Sequence, residues 1–428
     1  MTVRGLSKAD LHLALSSPAL SSMNFLNDVA HRFPDAISFV PGRPYEGFFD
    51  IEDVHRYLRT YCRYLQLKQG HDVEHVRRQL LQYGRTKGIV HELIAEYLRV
   101  DEGIDVSGEA VIVTVGCQEA LFIVLRALRA TENDVVLAVS PCYVGLTGAA
   151  RLLDMDVWPV RESDRGLDLH HLVAQVAAVR AAGKRPRALY IVPDFANPSG
   201  SSLDLDCRHR LLRIAEEHQI LVLEDNPYGI FGGPDRLPTL KALDRSRQVI
   251  YLGSFAKTGI PGARVGFAIA DQMVVEGGLL ADELSKIKSM LTVNTSPIAQ
   301  AVIGGKLLEH HFNLTGANQR EIAVYRRNMR LLLDGLANHL PSRGNHHISW
   351  NTPSGGFFVM LDVPFVADDA ALEYSARVRD VLWTPMRQFY SNPGGDHNIR
   401  LSCSALTEQQ ITVGVARLAR FLTEYRTR

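Results

Sequence analysis

The chain has 428 residues, 46% of them hydrophobic, and its mean hydropathy is near zero, as in an ordinary soluble globular protein. Its length is too great for one compact core and fits two domains, or one large domain with a smaller companion. Lys+Arg and Asp+Glu both number 47, so the formal net charge is zero, and neither nucleic acid nor an anionic membrane is the default partner.

Residues up to about 65 carry no periodic α/β pattern. Val111–Val115 then reads as a strand and Gln118–Arg129 as a helix, with Ala120, Leu121, Val124, Leu125 and Leu128 on one stripe. Asp134–Val139 is the next strand, followed by a helical stretch over Gly145–Leu153. Further strands are predicted at Ala188–Val192, Ile220–Glu224, Val249–Leu252 and Val265–Ile269, with a helix over Asp206–His218. These runs are apolar on both faces, as a parallel sheet covered by helices requires. The alternation predicts a doubly wound α/β domain from about residue 70 to about 300. The C-terminal part opens with a helix over Asn318–His339, in which four arginines alternate with apolar positions and form a solvated face. Strands at Ser349–Asn351 and Gly356–Leu361 and a terminal helix over Val413–Tyr425 follow. The division is therefore 1–70 (an N-terminal arm and part of a small domain), 71–305 (a large domain) and 306–428 (the rest of the small domain).

The stretch Gly253–Gly266 puts Lys257 three residues after Ser254 and seven before Arg264, on a Gly- and Pro-rich turn. A lysine that forms a Schiff base is held in place and partly desolvated. A hydroxyl and a guanidinium beside it suit a phosphate dianion. A phosphorylated aldehyde bound to a lysine is pyridoxal phosphate; a solvated surface loop is the other reading of this segment alone. Gly116-Cys117-Gln118 closes the first strand and opens a helix, which makes either an anion site or a simple tight turn. Asn197-Pro198-Ser199-Gly200 follows the third strand and is also a common loop. Asp225 ends the fourth strand and is trailed by Tyr228. A carboxylate there pairs with a protonated ring nitrogen or caps a helix, and unpartnered it would be costly to desolvate.

Taken in this order, each motif following a predicted strand, the set resembles the fold-type I pyridoxal-phosphate enzymes, and the chain resembles the class I/II aminotransferases over nearly its whole length. The resemblance implies an aspartate-aminotransferase-like α/β fold. Lys257 matches the Schiff-base lysine, and Asp225 the partner of the pyridinium nitrogen. Asn197 and Tyr228 match the hydrogen-bonders of the ring 3′-oxygen, with Tyr228 grouped among the catalytic residues. Ser254, Arg264, Gly116, Cys117 and Gln118 match the phosphate cradle, and Tyr143 the ring stacked on the pyridine. Tyr83 matches a tyrosine that reaches the neighbouring subunit's phosphate, implying a homodimer with shared active sites. Arg400 matches the clamp on the substrate α-carboxylate, with Gly42 and Asn197 beside it.

Two departures stand out. Ala256 replaces a serine the family often has before the lysine, and Val139-Ser140 replaces an acidic residue near the ring-stacking motif. Tyr83–Gly88, Gly42–Phe49 and Gly253–Gly266 further resemble aminotransferases of peptide-antibiotic pathways that make aryl glycines such as 3,5-dihydroxyphenylglycine. The implied activity is ping-pong transfer of an amino group between an L-amino acid, of aromatic or aryl-glycine type, and a 2-oxo acid. Tyr45, Phe48 and Phe49 would supply aromatic contacts near the entrance, or else anchor the N-terminal arm.

Rival readings are another pyridoxal-phosphate reaction (an oxidase, β-lyase or racemase) and a cofactor-sensing regulator with a winged-helix domain, for which the segment before Gly42 is short. The His pairs at 170–171, 310–311 and 346–347 lack metal-site spacing, and no metal is expected. Cys62, Cys117, Cys142, Cys207 and Cys403 are odd in number and scattered, which predicts a reducing, cytoplasmic setting. No apolar run approaches the ~20 residues that span a bilayer. The charged start, with Arg4, Lys8 and Asp10, is unlike a signal peptide.

Overall fold

The computed structural model describes residues 5–16, 28–29, 31–163, 166–275, 277–340 and 347–425; Arg4 and His346 lie outside them. A two-residue strand β1 (Ile37–Ser38) comes first. The main sheet then takes β2 (Val111–Val115), β3 (Asp134–Ser140), β4 (Asp156–Arg161), β5 (Arg185–Ile191), β6 (Leu221–Asp225), β7 (Val249–Ser254) and β8 (Val265–Ile269), in the spatial order β2-β8-β7-β6-β5-β3-β4. Helices cover it, and most interior strand positions are fully buried, as the doubly apolar runs require.

The sheet is mostly parallel, as the aspartate-aminotransferase-like fold implies, but two of its features were not read from the strand runs. β4 went unread because Asp156-Val-Trp-Pro-Val-Arg alternates and contains Pro159. It pairs only with β3, at the sheet margin, where a residue without an N–H is tolerated. β8 runs antiparallel to both neighbours, β2 and β7, so the sheet is mixed and not wholly parallel. Buried strands are apolar on both faces in either direction, so composition could not reveal this. The connection length could: parallel neighbours need a crossover, whereas only Phe255 to Arg264 joins β7 to β8. That short return carries Lys257.

β2, β3, β5, β6 and β7 share one direction, so their carboxyl ends lie along one edge of the sheet. Helices start directly behind two of them. One opens at Gly116, two residues earlier than expected, and the other is Val144–Leu152. Helix Leu205–Glu217 is fixed by the Asp204 side chain, which accepts from Cys207 N at 2.7 Å.

The segment before residue 65 holds a helix, Ile51–Leu67, whose N-terminus is capped by Asp50 accepting from Glu52 N at 2.9 Å. It buries Tyr57, Tyr61 and Leu65 and packs on helix Pro297–Glu309. A second core forms around helices Gln319–His339 and Glu408–Tyr425 and the strands β9 (Ser349–Trp350), β10 (Phe358–Asp362), β11 (Val381–Leu382), β12 (Thr384–Pro385) and β13 (Asn398–Ser402). Trp383, Phe39 and Leu401 are wholly buried within it. β12, β13, β10 and β9 form an antiparallel sheet in that order, while β1 pairs parallel to β11 and ties the beginning of the chain to its end. All five cysteines are free, and no described helix is long and apolar enough to cross a membrane.

The two packed helices approach closely because Gly304 and Gly305 face them. A Cβ on Gly305 would overlap the Tyr57 carbonyl oxygen, which is backbone and cannot swing away. Ala is favoured over Gly inside a helix by about 1 kcal/mol, but overpacking a core costs about 1–3 kcal/mol. Gly305→Ala is therefore expected to lower the thermal midpoint followed by circular dichroism. A midpoint at or above that of the unaltered protein would contradict this packing account.

Candidate active site

A cavity of about 690 Å³ opens at the carboxyl edge of the main sheet. β6 ends in Asp225, β7 in Ser254, and β2 runs straight into Gly116. The loops after β3 and β5 bring Tyr143 and Asn197, and β13 of the second core contributes Arg400. Both Ser140–Pro141 and Asn197–Pro198 are cis peptides.

Lys257 reaches into the cavity from the β7–β8 return and donates to the Gly42 carbonyl at 2.5 Å. Its ammonium lies 5.9 Å from the centre of the Tyr228 ring. Burial, then the charges of Arg400 and Arg264, lower its pKa to about 8, against a smaller opposing pull from Asp225. Asp225 is buried, and burial raises its pKa; hydrogen bonds from Tyr190 and Cys117 and the charge of Lys257 oppose that rise. The Tyr190 hydroxyl donates to Oδ2 at 2.7 Å and the Cys117 thiol to Oδ1 at 3.5 Å.

Arg400 is buried, with Nη1 donating to Asn197 Oδ1 at 2.6 Å and Nη2 to the Val40 carbonyl at 2.7 Å and Thr384 Oγ1 at 3.2 Å. Its guanidinium lies over Phe358 and Phe389, at 4.6 and 5.1 Å from the ring centres. Burial lowers its pKa to about 10, and its Nε is buried without a hydrogen-bond partner. Asn197 also hydrogen-bonds Tyr228, whose hydroxyl burial keeps protonated.

At the other end, Gly116 has φ +72°, and a Cβ there would fall on the Arg264 guanidinium. Arg264 is itself in the left-handed region, with φ 51° and ψ 47°. Gly266 leaves room for the Cys117 amide, which a Cβ would approach to 2.5 Å. Glycine is needed at these positions because backbone and guanidinium crowd into one small concavity.

The chain matches the aminotransferase class I and II family over residues 65–418. It is 56% identical over 418 residues to an (S)-3,5-dihydroxyphenylglycine transaminase of Amycolatopsis orientalis, covering 98% of this chain and 95% of that one. The chain belongs to the class I and II aminotransferases. Among solved structures, kynurenine aminotransferase of Pyrococcus horikoshii superposes with a TM-score of 0.81 at 26% identity, covering 98% of this chain and 97% of that one. An α-aminoadipate aminotransferase of Thermus thermophilus, complexed with N-(5′-phosphopyridoxyl)-L-leucine, does so with a TM-score of 0.79 at 29% identity, covering 98% of each chain.

This aminotransferase is pyridoxal-phosphate-dependent and has the aspartate-aminotransferase-like α/β fold. The residues present fit that cofactor: a lysine of lowered pKa, a buried carboxylate without a bound cation, and a concavity at Gly116 and Arg264 open to an anion. Gly42, Cys117, Gln118, Tyr143, Asn197, Asp225, Tyr228, Ser254, Lys257, Arg264 and Arg400 all line the one cavity. Tyr83 does not; its side chain is 85% exposed.

Tyr45, Phe48 and Phe49 also stay outside this cavity. Phe48 packs edge-on against Tyr45 and Tyr325, under Arg320, so this segment anchors the loop after Gly42 to helix Gln319–His339. The apolar wall comes instead from Phe33, Ala36, Val40, Val144, Leu382 and Phe389. Sequence reasoning missed these, and missed Tyr190 and Thr384, because each lies in a strand, a helix or the arm, where an apolar, aromatic or β-branched residue reads as core. Tyr190 alone left a signal: its hydroxyl, in a run otherwise buried on both faces, needs a partner.

A lysine captures an aldehyde only as the unprotonated amine, and that of Lys257 forms as pH rises through about 8. The capture rate, read by borohydride trapping, is expected to rise with that midpoint. Arg400→Met removes a nearby positive charge and should move the midpoint upward; an unchanged midpoint would mean that the Arg400 charge does not reach Lys257.

Proposed function

We propose that this aminotransferase acts on uncharged aryl amino acids, with an (S)-aryl glycine of the 3,5-dihydroxyphenylglycine type as the donor class, in peptide-antibiotic assembly in the cytosol. The observation that carries the reading is Arg400: buried, pinned by Asn197, Val40 and Thr384, and left with an unpartnered Nε beside an apolar and aromatic wall. A planar guanidinium held this way still has its Nε–H to donate to a carboxylate in a charge-assisted hydrogen bond. The side chains of Phe33, Ala36, Val40, Val144, Leu382 and Phe389 then favour an aryl group over a second carboxylate. The identity to the Amycolatopsis orientalis enzyme supports the same substrate class. The second core, built from the arm and residues 329–422, supports a division into a cofactor-binding part (71–305) and a smaller part (306–428) joined by an arm (1–70), although helix Ile51–Leu67 and Leu314, Ile322, Tyr325, Phe357 and Phe358 pack with the first core.

In this reading the cofactor, when bound, supplies an electron sink for the charge that develops at the substrate α-carbon. Cys117, Gln118, Ser254, Arg264 and the Gly116 turn hold its phosphate, Tyr143 stacks on its ring, and Asn197 and Tyr228 bind the ring hydroxyl oxygen. Asp225 faces the ring nitrogen. Lys257 Nζ, uncharged once pH exceeds about 8, takes the proton from the substrate α-carbon. Arg400 and the Gly42 backbone orient the α-carboxylate so that this proton faces Lys257. Donor and acceptor use one site in turn, which gives ping-pong kinetics.

Steady-state comparison of an aryl glycine, phenylalanine, leucine and aspartate is expected to give the highest kcat/KM to the aryl glycine; a clear preference for aspartate would overturn the substrate reading. Arg400→Lys should raise KM for all of them by about tenfold or more, because a point charge cannot take the place of the planar guanidinium.

The site is also read as shared across a homodimer. Gly84, which follows the exposed Tyr83, lies against Asn294 and Pro297, whose chain neighbours Met290, Val293 and Ile298 are also exposed. An aromatic residue exposed on such an apolar patch suits a second copy of the chain. Hybrids of Lys257→Ala and Tyr83→Phe subunits are expected to regain activity that neither homodimer has. A fully active monomer at assay concentration would reject this reading.

A further inference from the structure

The Asp225 carboxylate receives two donors, and they are unequal. Tyr190 lies opposite Leu223 in the parallel β5–β6 register, two residues before Asp225, so the pleat sends both side chains to the same face of the sheet. The Tyr190 hydroxyl meets Oδ2 at 2.7 Å, a full hydrogen bond. The Cys117 thiol meets Oδ1 at 3.5 Å and is a weak donor. Tyr190 and Asp225 are 2% and 6% exposed, so water does not replace either partner. Burial also raises the pKa of the Tyr190 phenol and the Cys117 thiol, which keeps both protonated.

Neither donor brings a positive charge, and among the described residues no basic side chain forms an ion pair with Asp225. Lys257 approaches from the β7–β8 return, Cys142 and Tyr143 from the loop after β3, and Arg264 lies beyond Cys117. A buried carboxylate in these surroundings tends to hold its own proton, and the hydrogen bond from Tyr190 is the strongest local force against that. Oδ2 is thereby occupied, while Oδ1, held only by a thiol, remains open to a better donor from the cavity.

We propose that Tyr190 is a positioning residue for the cofactor: its hydroxyl fixes the plane of the Asp225 carboxylate and stabilises it as an anion, so that Oδ1 meets the ring nitrogen and the shared proton stays on that nitrogen. The proposal rests on the reading of Asp225 as the partner of the ring nitrogen. Without the phenol, Asp225 becomes the stronger base of the pair and the proton shifts toward the carboxylate. The electron-withdrawing power of the ring then falls, although no group touching substrate has changed.

The test is the ¹⁵N chemical shift of the ring nitrogen in holoenzyme loaded with ¹⁵N-labelled pyridoxal phosphate, for the unaltered protein, Tyr190→Phe and Asp225→Asn. Tyr190→Phe keeps the ring and its packing. Its signal is expected to move toward the unprotonated value, with a cofactor dissociation constant about tenfold higher. Asp225→Asn is expected to move the signal further in the same direction. A shifted signal in Asp225→Asn with an unmoved one in Tyr190→Phe overturns the role of Tyr190 alone, even if binding weakens, because weaker binding without a moved proton is only packing. An unmoved signal in Asp225→Asn overturns the placement of Asp225 against the ring, and the proposal with it.

Discussion

Four cationic side chains, Arg43, Lys257, Arg264 and Arg400, line one cavity with the single carboxylate of Asp225; Arg43 is paired with Glu46, and the rest of the site follows from the imbalance among the others. Positive charges crowded away from water repel one another, and the weakest acid among them is not the one that yields. Lys257, whose ammonium loses its proton most readily, has its pKa lowered by burial and by Arg400 and Arg264, while Arg400 keeps its charge despite burial. The same excess of positive charge draws anions to both ends of the cavity. A phosphate at Gly116 and Arg264 and a carboxylate at Arg400 would neutralise much of it.

The sheet makes this crowding possible. Strands β2, β3, β5, β6 and β7 point the same way, so their polar ends converge without any one loop having to carry the whole site. The antiparallel strand β8 closes the arrangement: its short return from β7 holds Lys257 and Arg264 on one tight turn, where a helical crossover would have separated them. Gly116 then leaves room for the Arg264 guanidinium, and Gly266 for the Cys117 amide.

Arg400 links the two cores. It stands on β13, yet its partners are Asn197 from the loop after β5, Val40 from the segment after β1, and Thr384 on β12. Only the Asn197 bond crosses to the main sheet, since Val40 and Thr384 belong to the second core, and Lys257 adds a second tie through the Gly42 carbonyl. A substrate carboxylate taking up the unpartnered Nε would therefore touch a group already braced from both sides. Movement of one core against the other would reach the site through these bonds.

The sequence by itself determined the α/β class and the strands that carry the motifs, and the resemblance to the class I/II aminotransferases singled out Lys257, Asp225, Asn197, Tyr228, Ser254, Arg264 and Arg400, which line one cavity. The sequence also held, unread, the short β7–β8 connection that demands an antiparallel return. Tertiary structure alone decided the rest. Burial on both faces hides strand direction, so β8 was legible only through pairing. Phe48 looks as suitable for an aryl ligand as Phe33 and Phe389 do, and only packing sends it against Tyr325 and Tyr45 and the other two into the cavity. Tyr190 reads as one more buried strand residue until its neighbour β6 puts a carboxylate 2.7 Å from its hydroxyl. A local pattern fixes which residues an element contains; which of their atoms meet depends on contacts between segments far apart in the chain, and spacing along it does not encode them.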